Sequence, residues 1–333
     1  MSSIKIYSKK DVDRFIKTRA GETKFGEKVC FIESMDNLKN HSSKYVLLGI
    51  PEDIGVRANY GNPGTSKAWE AALKSFLNIQ ENDFAKAENV ILLGEIDCDS
   101  QMREAENLSS DDGHYVEKLG ELVSQIDHKV SITVKTIIES GKFPIIIGGG
   151  HNNCYGNLKG TTEALKTPAN CLNFDAHTDF RALGHRHSGN GFSYAFEDGY
   201  LNRYFIFGLH RNYTPQIVFD RLVKQQDRIK FSLFEDIAIN EKFSFSEGIQ
   251  EAEMFVCNAS FGLELDLDAI EDMGSSAMTP GGFSINDARK FISYFSKKEH
   301  CVYFHICEGA PQLGNFPAQV GKTISFLISD IIA

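Results

Sequence analysis

The stretch NCLNFDAHTD, residues 170–179, opens as an apolar run and closes with Asp175, His177 and Asp179 in alternate positions. NCLNF reads as a short buried strand, so the polar tail stands where that strand gives way to a loop. The arrangement recurs. FPIIIG (143–148) runs into Gly149, Gly150, His151 and Asn152, FGLELD (261–266) into Asp268, and CVYFHI (301–306) into Glu308. YVLLGI (45–50), NVILLG (89–94), RYFIFG (203–208) and RIKFS (228–232) complete eight predicted strands. Helical periodicity lies between most of them, over 66–79, 115–140, 284–298 and 320–332. Strands alternating with helices predict an α/β fold, a three-layer α/β/α arrangement around an eight-stranded, mainly parallel sheet.

The bulk numbers agree with one large unit. A chain of 333 residues with 42% hydrophobic and 24% charged residues has ample material for a core. Residues 1–43 are polar and weakly patterned and read as an arm packed on a single domain, 44–333. The stretch DSQMREAENLSSDDG (99–113) reads as an exposed loop. A formal net charge of -10 disfavours nucleic acid or an anionic membrane as partner and favours a small-molecule substrate. Seven scattered cysteines without CxxC spacing suggest neither a disulfide framework nor a thiolate metal site, which fits a reducing cytoplasm. No signal-like or membrane-spanning run is present, so the chain is expected to be cytoplasmic.

Open parallel sheets bind ligands beyond the carboxyl ends of their strands, and all four polar groups fall on that rim. Residues i, i+2 and i+4 of an extended chain project to one face at roughly 6–7 Å intervals. Strand alternation therefore predicts that Asp175, His177 and Asp179 converge, and Asp266 and Asp268 likewise. Taken singly, each group has a structural reading: a loop histidine, a capped turn, a solvated strand end. Gathered on one rim without a cation, the carboxylates would repel and raise one another's pKa. Two imidazoles and four carboxylates suit harder divalent ions, manganese first, with iron, nickel or zinc also suited. Such a metal pair supplies hydroxide at neutral pH, which points to hydrolysis.

GGGHN (148–152), DAHTD (175–179) and LDLD (265–268), with GVRANYGNPGTSKAWEAAL (55–73), resemble the motifs of the ureohydrolases: arginase, agmatinase and formimidoylglutamase. The resemblance covers residues 45–330 and implies a site for two Mn2+ per chain. It implies that His151, Asp175, Asp179 and Asp266 hold one ion, and Asp175, His177, Asp266 and Asp268 the other. Asp179 would also move a proton, and Glu308 would face the substrate's amidine carbon. HSGNGFS (187–193) carries Phe192 where arginases place a histidine, and no Asp-Pro follows LDLD. Both departures, with Arg181 two residues past DAHTD, make the sequence most similar to formimidoylglutamases. The implied reaction is N-formimino-L-glutamate plus water giving L-glutamate and formamide. The alternatives are a guanidino-compound hydrolase releasing urea and a non-catalytic member with an assembly or regulatory role.

Candidate substrate contacts are Arg181, His187, Ser188, Asn190 and Arg211, arginine being the natural bidentate partner of a carboxylate. Each arginine taken alone has an equally good reading as a surface residue. Glu264 is open between facing the site and facing a helix, and Cys154 reads as a buried thiol. Family members are commonly trimers or hexamers, so the resemblance also implies a homo-oligomer.

Overall fold

The computed structural model describes residues 3–333. Among them, nine strands form one sheet in the order β1-β3-β2-β4-β9-β8-β5-β6-β7. The strands are β1 (Ile4–Ile6), β2 (Tyr45–Gly49), β3 (Val90–Ile96), β4 (Phe143–Ile147), β5 (Ala169–Phe174), β6 (Leu201–Leu209), β7 (Ile229–Leu233), β8 (Phe261–Asp266) and β9 (Cys301–Cys307). The last eight are the predicted ones and run parallel. The ninth, β1, pairs antiparallel with β3, Ile4 opposite Ile96. Three residues inside a polar arm carry no readable periodicity, so this edge strand was not expected. Lys5 secures it through Glu95 at 3.1 Å and Asp99 at 2.7 Å.

Alternation along the strands builds the layers. Leu47, Ile145 and Ile147 face a core with Trp69, Phe291 and Ile324 on one side. Val46, Leu48 and Ile146 face Val123, Ile126 and Val130 on the other. The first side is covered by helices Ala68–Phe76, Phe245–Val256, Ile285–Phe295 and Gln319–Ile332, the second by Tyr115–Glu139. Ser284 caps Ile285–Phe295 by accepting from the Asp287 N–H at 3.2 Å, and the Asp287 carboxylate bonds back to Ser284.

The expectation of a loop over 99–113 is corrected in its first half: Asp99–Glu106 is a helix. Only Gln101 and Ala105 of it are buried, so no apolar stripe announces it. Arg57 reaches its far end, donating to the Ala105 carbonyl at 2.7 Å.

At the end of β2 a side chain is excluded by packing. A Cβ on Gly49 would stand 2.4 Å from the ring of Trp69, which is only 2% exposed. Gly49→Ala should cost about 1–3 kcal/mol through overpacking and lower the melting temperature by several degrees. Trp69 is the sole tryptophan, so its fluorescence reports the change directly. An unaltered melt and emission maximum would show that the ring does not occupy this position.

Candidate metal centre

Sheet order decides which loops meet. The four polar groups follow β4, β5, β8 and β9, and these are neighbours at the centre of the sheet, in the order β4-β9-β8-β5. After β4 the chain reverses through Gly148 and Gly149, both at positive φ (95° and 74°), a conformation that side chains resist. Buried Glu52 pins the result. Its carboxylate accepts from the Gly150 N–H at 2.8 Å, the Asn153 amide at 2.7 Å and the Ile54 N–H at 2.7 Å. His151 is thereby delivered at the entry to helix Cys154–Leu165.

Strand alternation is not what gathers the other ligands. β5 ends at Phe174, and Asp175–Asp179 forms a bent loop in which Asp179 has φ 43°. Asp175 accepts from the His177 N–H at 2.6 Å, folding the loop back on itself. Asp266 is the last residue of β8, and its Oδ1 accepts from the Asp268 N–H at 2.8 Å across a short 3-10 turn. The residues do converge, but through side chain to main chain turns two residues long.

Two donor groups result. His151 Nδ1 lies 3.2 Å from Asp175 Oδ2, 2.8 Å from Asp179 Oδ2 and 3.2 Å from Asp266 Oδ2. His177 Nδ1 lies 3.0 Å from Asp268 Oδ2 and 3.8 Å from Asp175 Oδ1. Within each group the donor atoms all lie within 4.8 Å of one another. Asp175 offers one oxygen to each group, as a bridging ligand does. Asp266 stands with His151 in the first group and also beside Cys307, but not in the His177 group, whereas the family resemblance implies that it serves both ions. A divalent cation fits this set on two observations. One ring nitrogen cannot donate a proton to three carboxylates at once, and buried Asp268 Oδ1 has no hydrogen-bond partner. Burial, then the neighbouring Asp268 and Asp175, push Asp266 well above the usual carboxylate range. Burial pushes the neighbouring Cys307 thiol up, away from thiolate, and the remaining nitrogen and carboxylate donors suit manganese and similar ions.

The surroundings orient these ligands. Glu264 faces the site from behind: it lies 3.6 Å from His151 Nε2, meets His305 Nδ1 at 2.5 Å and accepts from the Tyr303 hydroxyl at 2.7 Å. Burial alone would raise its pKa, but His305 and His151 outweigh burial and hold it at about 2. Such a carboxylate behind a ligating histidine fixes ring orientation and basicity. Phe192 stands edge-on to His151 at 5.1 Å and stacks on Tyr204 at 4.4 Å. It is buried in the wall behind the ligand and does not line the pocket. Cys154 is buried too, and burial pushes its thiol up, away from nucleophilic reactivity.

In front of the ligands opens a pocket of about 180 Å³. Glu308 lines it with its backbone at φ 60°; Oε1 accepts from the His151 N–H at 2.6 Å and Oε2 from the Ser276 hydroxyl. Burial pushes its carboxyl up to about 8. Of the predicted substrate contacts, Arg181 and Ser188 line the pocket. The other three do not. His187 accepts from the Gly189 N–H at 3.1 Å through Nδ1, and Asn190 accepts from Arg186 at 2.7 Å. Arg211 is turned to Asp236 at 2.7 Å and Glu235 at 3.7 Å. Asn59, Tyr213 and Ser276 line the pocket without having been singled out. Only Asn59 lay in a stretch already marked, the glycine-rich segment 55–73.

The model of the arginase family matches residues 43–328 of this chain. Among curated proteins, the chain is 25% identical over 335 residues to a formimidoylglutamase of Streptococcus pyogenes serotype M5 (strain Manfredo), covering 93% of this chain and 92% of the relative. A formimidoylglutamase of S. pyogenes serotype M3 (strain SSI-1) is 24% identical over the same shares. The formimidoylglutamase structure from Bacillus subtilis subsp. subtilis str. 168 superposes with a TM-score of 0.74 at 15% identity, covering 95% of this chain and 93% of that one. Trypanosoma cruzi formiminoglutamase with Mn2+2 gives 0.73 at 16% identity, covering 93% and 97%. The two structures establish a shared fold.

His187 offers a pH test of the loop beside the pocket. Burial, then His185 and Arg181, lower its pKa from 6.5 to about 3. The folded state therefore keeps it neutral while the unfolded chain takes up a proton below about 6.5, so this contribution to stability is present above that pH and fades towards about 3. His187→Gln should be less stable than the parent at pH 7.5, with a gap that narrows as pH falls from about 6.5. Denaturant melts of both proteins across that range check it; a gap independent of pH would contradict a neutral, accepting imidazole.

Proposed function

The chain belongs to the arginase family, a family of metal-dependent hydrolases, and from that membership we propose that it hydrolyses the formimino C–N bond of N-formimino-L-glutamate. The products are L-glutamate and formamide, a step of histidine degradation carried out in the cytoplasm. One observation carries the reading: two donor groups sharing Asp175 adjoin a pocket lined by Arg181, a cation with no ion-pair partner among the described residues. The curated relatives, formimidoylglutamases matched over 93% of the chain, support this choice within the family.

Two manganese ions would be held by His151, Asp175, Asp179 and Asp266 and by Asp175, His177 and Asp268, and would supply Lewis acidity and a water acidified to near-neutral pKa. The chain's own groups do the rest. Arg181, carried on the loop after Asp179 and held at its Nη1 by Asn59 Oδ1 at 3.4 Å, pairs with a substrate carboxylate. Ser188 and Asn59, themselves bonded at 3.2 Å, add neutral donors beside it. Glu308 faces the amidine, its carboxyl oriented by Ser276 and the His151 N–H. Water adds to the formimino carbon and gives a tetrahedral centre carrying one hydroxyl and two nitrogens. Asp179 takes the proton and returns it to the glutamate nitrogen as the C–N bond breaks, so formamide leaves with the new oxygen.

Manganese-loaded protein given formiminoglutamate, arginine, agmatine and guanidine separately should release formamide from the first and no urea from the others. Urea without formamide would instead establish a guanidino hydrolase. Asp266→Ala should fold, yet lose more than about 100-fold of the activity, a larger loss than removing an outer-shell partner causes. Undiminished turnover in that variant would remove Asp266 from the ligand set.

A further inference from the structure

The two histidines of the donor groups are held differently. His151 is enclosed: Nδ1 meets carboxylates, Nε2 lies 3.6 Å from Glu264 without a hydrogen-bond partner, and Phe192 packs edge-on at 5.1 Å. His177 is 23% exposed at its side chain, with Nδ1 on Asp268 at 3.0 Å, and among the described residues Nε2 has no hydrogen-bond partner. A ligating histidine ordinarily donates that second N–H to a carboxylate, a backbone carbonyl or water. The face of the His177 ring is held by a column of rings. Tyr213 stacks on His177 at 5.0 Å and 23°, His210 on Tyr213 at 5.5 Å and 16°, and Phe234 on His210 at 4.5 Å and 8°.

The column is anchored at both ends. Phe234 belongs to the main core, and the His210 N–H donates to the Ala176 carbonyl at 3.0 Å, inside the loop that carries His177. The Tyr213 hydroxyl donates to Thr279 Oγ1 at 3.0 Å or accepts from it, tying the ring to the loop that also carries Ser276. A flat neighbour leaves the in-plane nitrogens of an imidazole free while blocking rotation of the ring out of that plane.

We propose that Tyr213 is the positioning residue for His177, presenting Nδ1 to the second ion by stacking on the face of the ring. This rests on the binuclear reading of the site. Tyr213 touches no reacting atom in this role, so its effect falls on metal affinity and on one ion of the two.

Calorimetric titration of manganese into the metal-stripped full chain tests it. The parent should take two ions. Tyr213→Ala should keep one at parental affinity and bind the other about tenfold more weakly, the lower end of the loss expected for an orienting partner. Tyr213→Phe, which keeps the flat face and drops the hydroxyl, should restore the second ion. If the alanine variant unfolds, Tyr213→Leu keeps apolar volume without a ring face and should show the same selective weakening. Parental affinity for both ions in the Ala or Leu variant would overturn the inference and leave the binuclear reading intact. A Phe variant as weak as the Ala variant would overturn it as well, assigning the effect to the Thr279 bond. Fewer than two ions in the parent itself would overturn the binuclear reading, and this inference with it.

Discussion

Like charges held out of water are the constraint on which the rest of this structure depends. Asp175, Asp179, Asp266 and Asp268 are each 9% exposed or less, and Glu52, Glu264 and Glu308 are buried around them. Burial of an unpaired carboxylate costs several kcal/mol, roughly, even after relaxation, so each one has to be met by donors or a cation. The outer three are met by the protein. Glu52 draws in main-chain N–H groups from two loops, Glu264 takes His305 and Tyr303, and Glu308 takes Ser276 and the His151 N–H. The inner four share two imidazoles, the His177 and Asp268 N–H groups and the Asn173 amide, a set too small for four carboxylates and one that a metal cation would complete.

That constraint explains why the ligand loops are shaped by short turns. A strand cannot place three side chains closer than its own pleat spacing, roughly 6–7 Å between same-face neighbours, and ligand atoms around one ion must be nearer. The chain leaves the β conformation at Phe174 and at Asp266 and spends carboxylate oxygens on N–H groups two residues ahead. Asp179 takes a left-handed backbone, as does Glu308. Backbone strain of this kind concentrates at functional sites, where the surrounding structure over-determines it.

Much of this was legible in the chain itself, and the boundary of legibility is physical. Eight strands were readable because they are apolar runs, most of them buried on both faces though the edge strand β7 is not, and the rim followed from the polar residues at their ends. β1 and the helix Asp99–Glu106 escaped because neither buries an apolar stripe long enough to show a period. The order of the central strands was beyond reach, since β9 inserts between β4 and β8 through contacts distant in sequence. Side-chain direction was the other blind spot. Arg181 and Arg211 look alike as arginines after strands, yet one lines the pocket and the other is neutralised by Asp236. Phe192, read as standing where arginases place a histidine, is packed behind His151 and touches its ring edge-on.

The loop that brings Ser188 to the pocket is tied to the loop of His151 by a second buried charge. Arg186, 6% exposed, donates to Asp127 at 3.0 Å, to the Asn152 carbonyl at 3.1 Å and to Asn190 at 2.7 Å. The rings of Tyr155 and Tyr194 flank it at 5.0 and 4.9 Å. Replacing such a pair with apolar residues is often neutral or favourable for stability, whereas removing one partner costs about 3–5 kcal/mol. Its value therefore lies in specifying one arrangement. Asn152 follows the ligand His151, and Asn190 closes the turn that presents Ser188 to the pocket. One guanidinium holds both, so the loop of Ser188 cannot shift without moving the residue next to His151. The wall of the pocket and the ligands behind it then act as one rigid body, which is what orientation of a substrate against a fixed nucleophile requires.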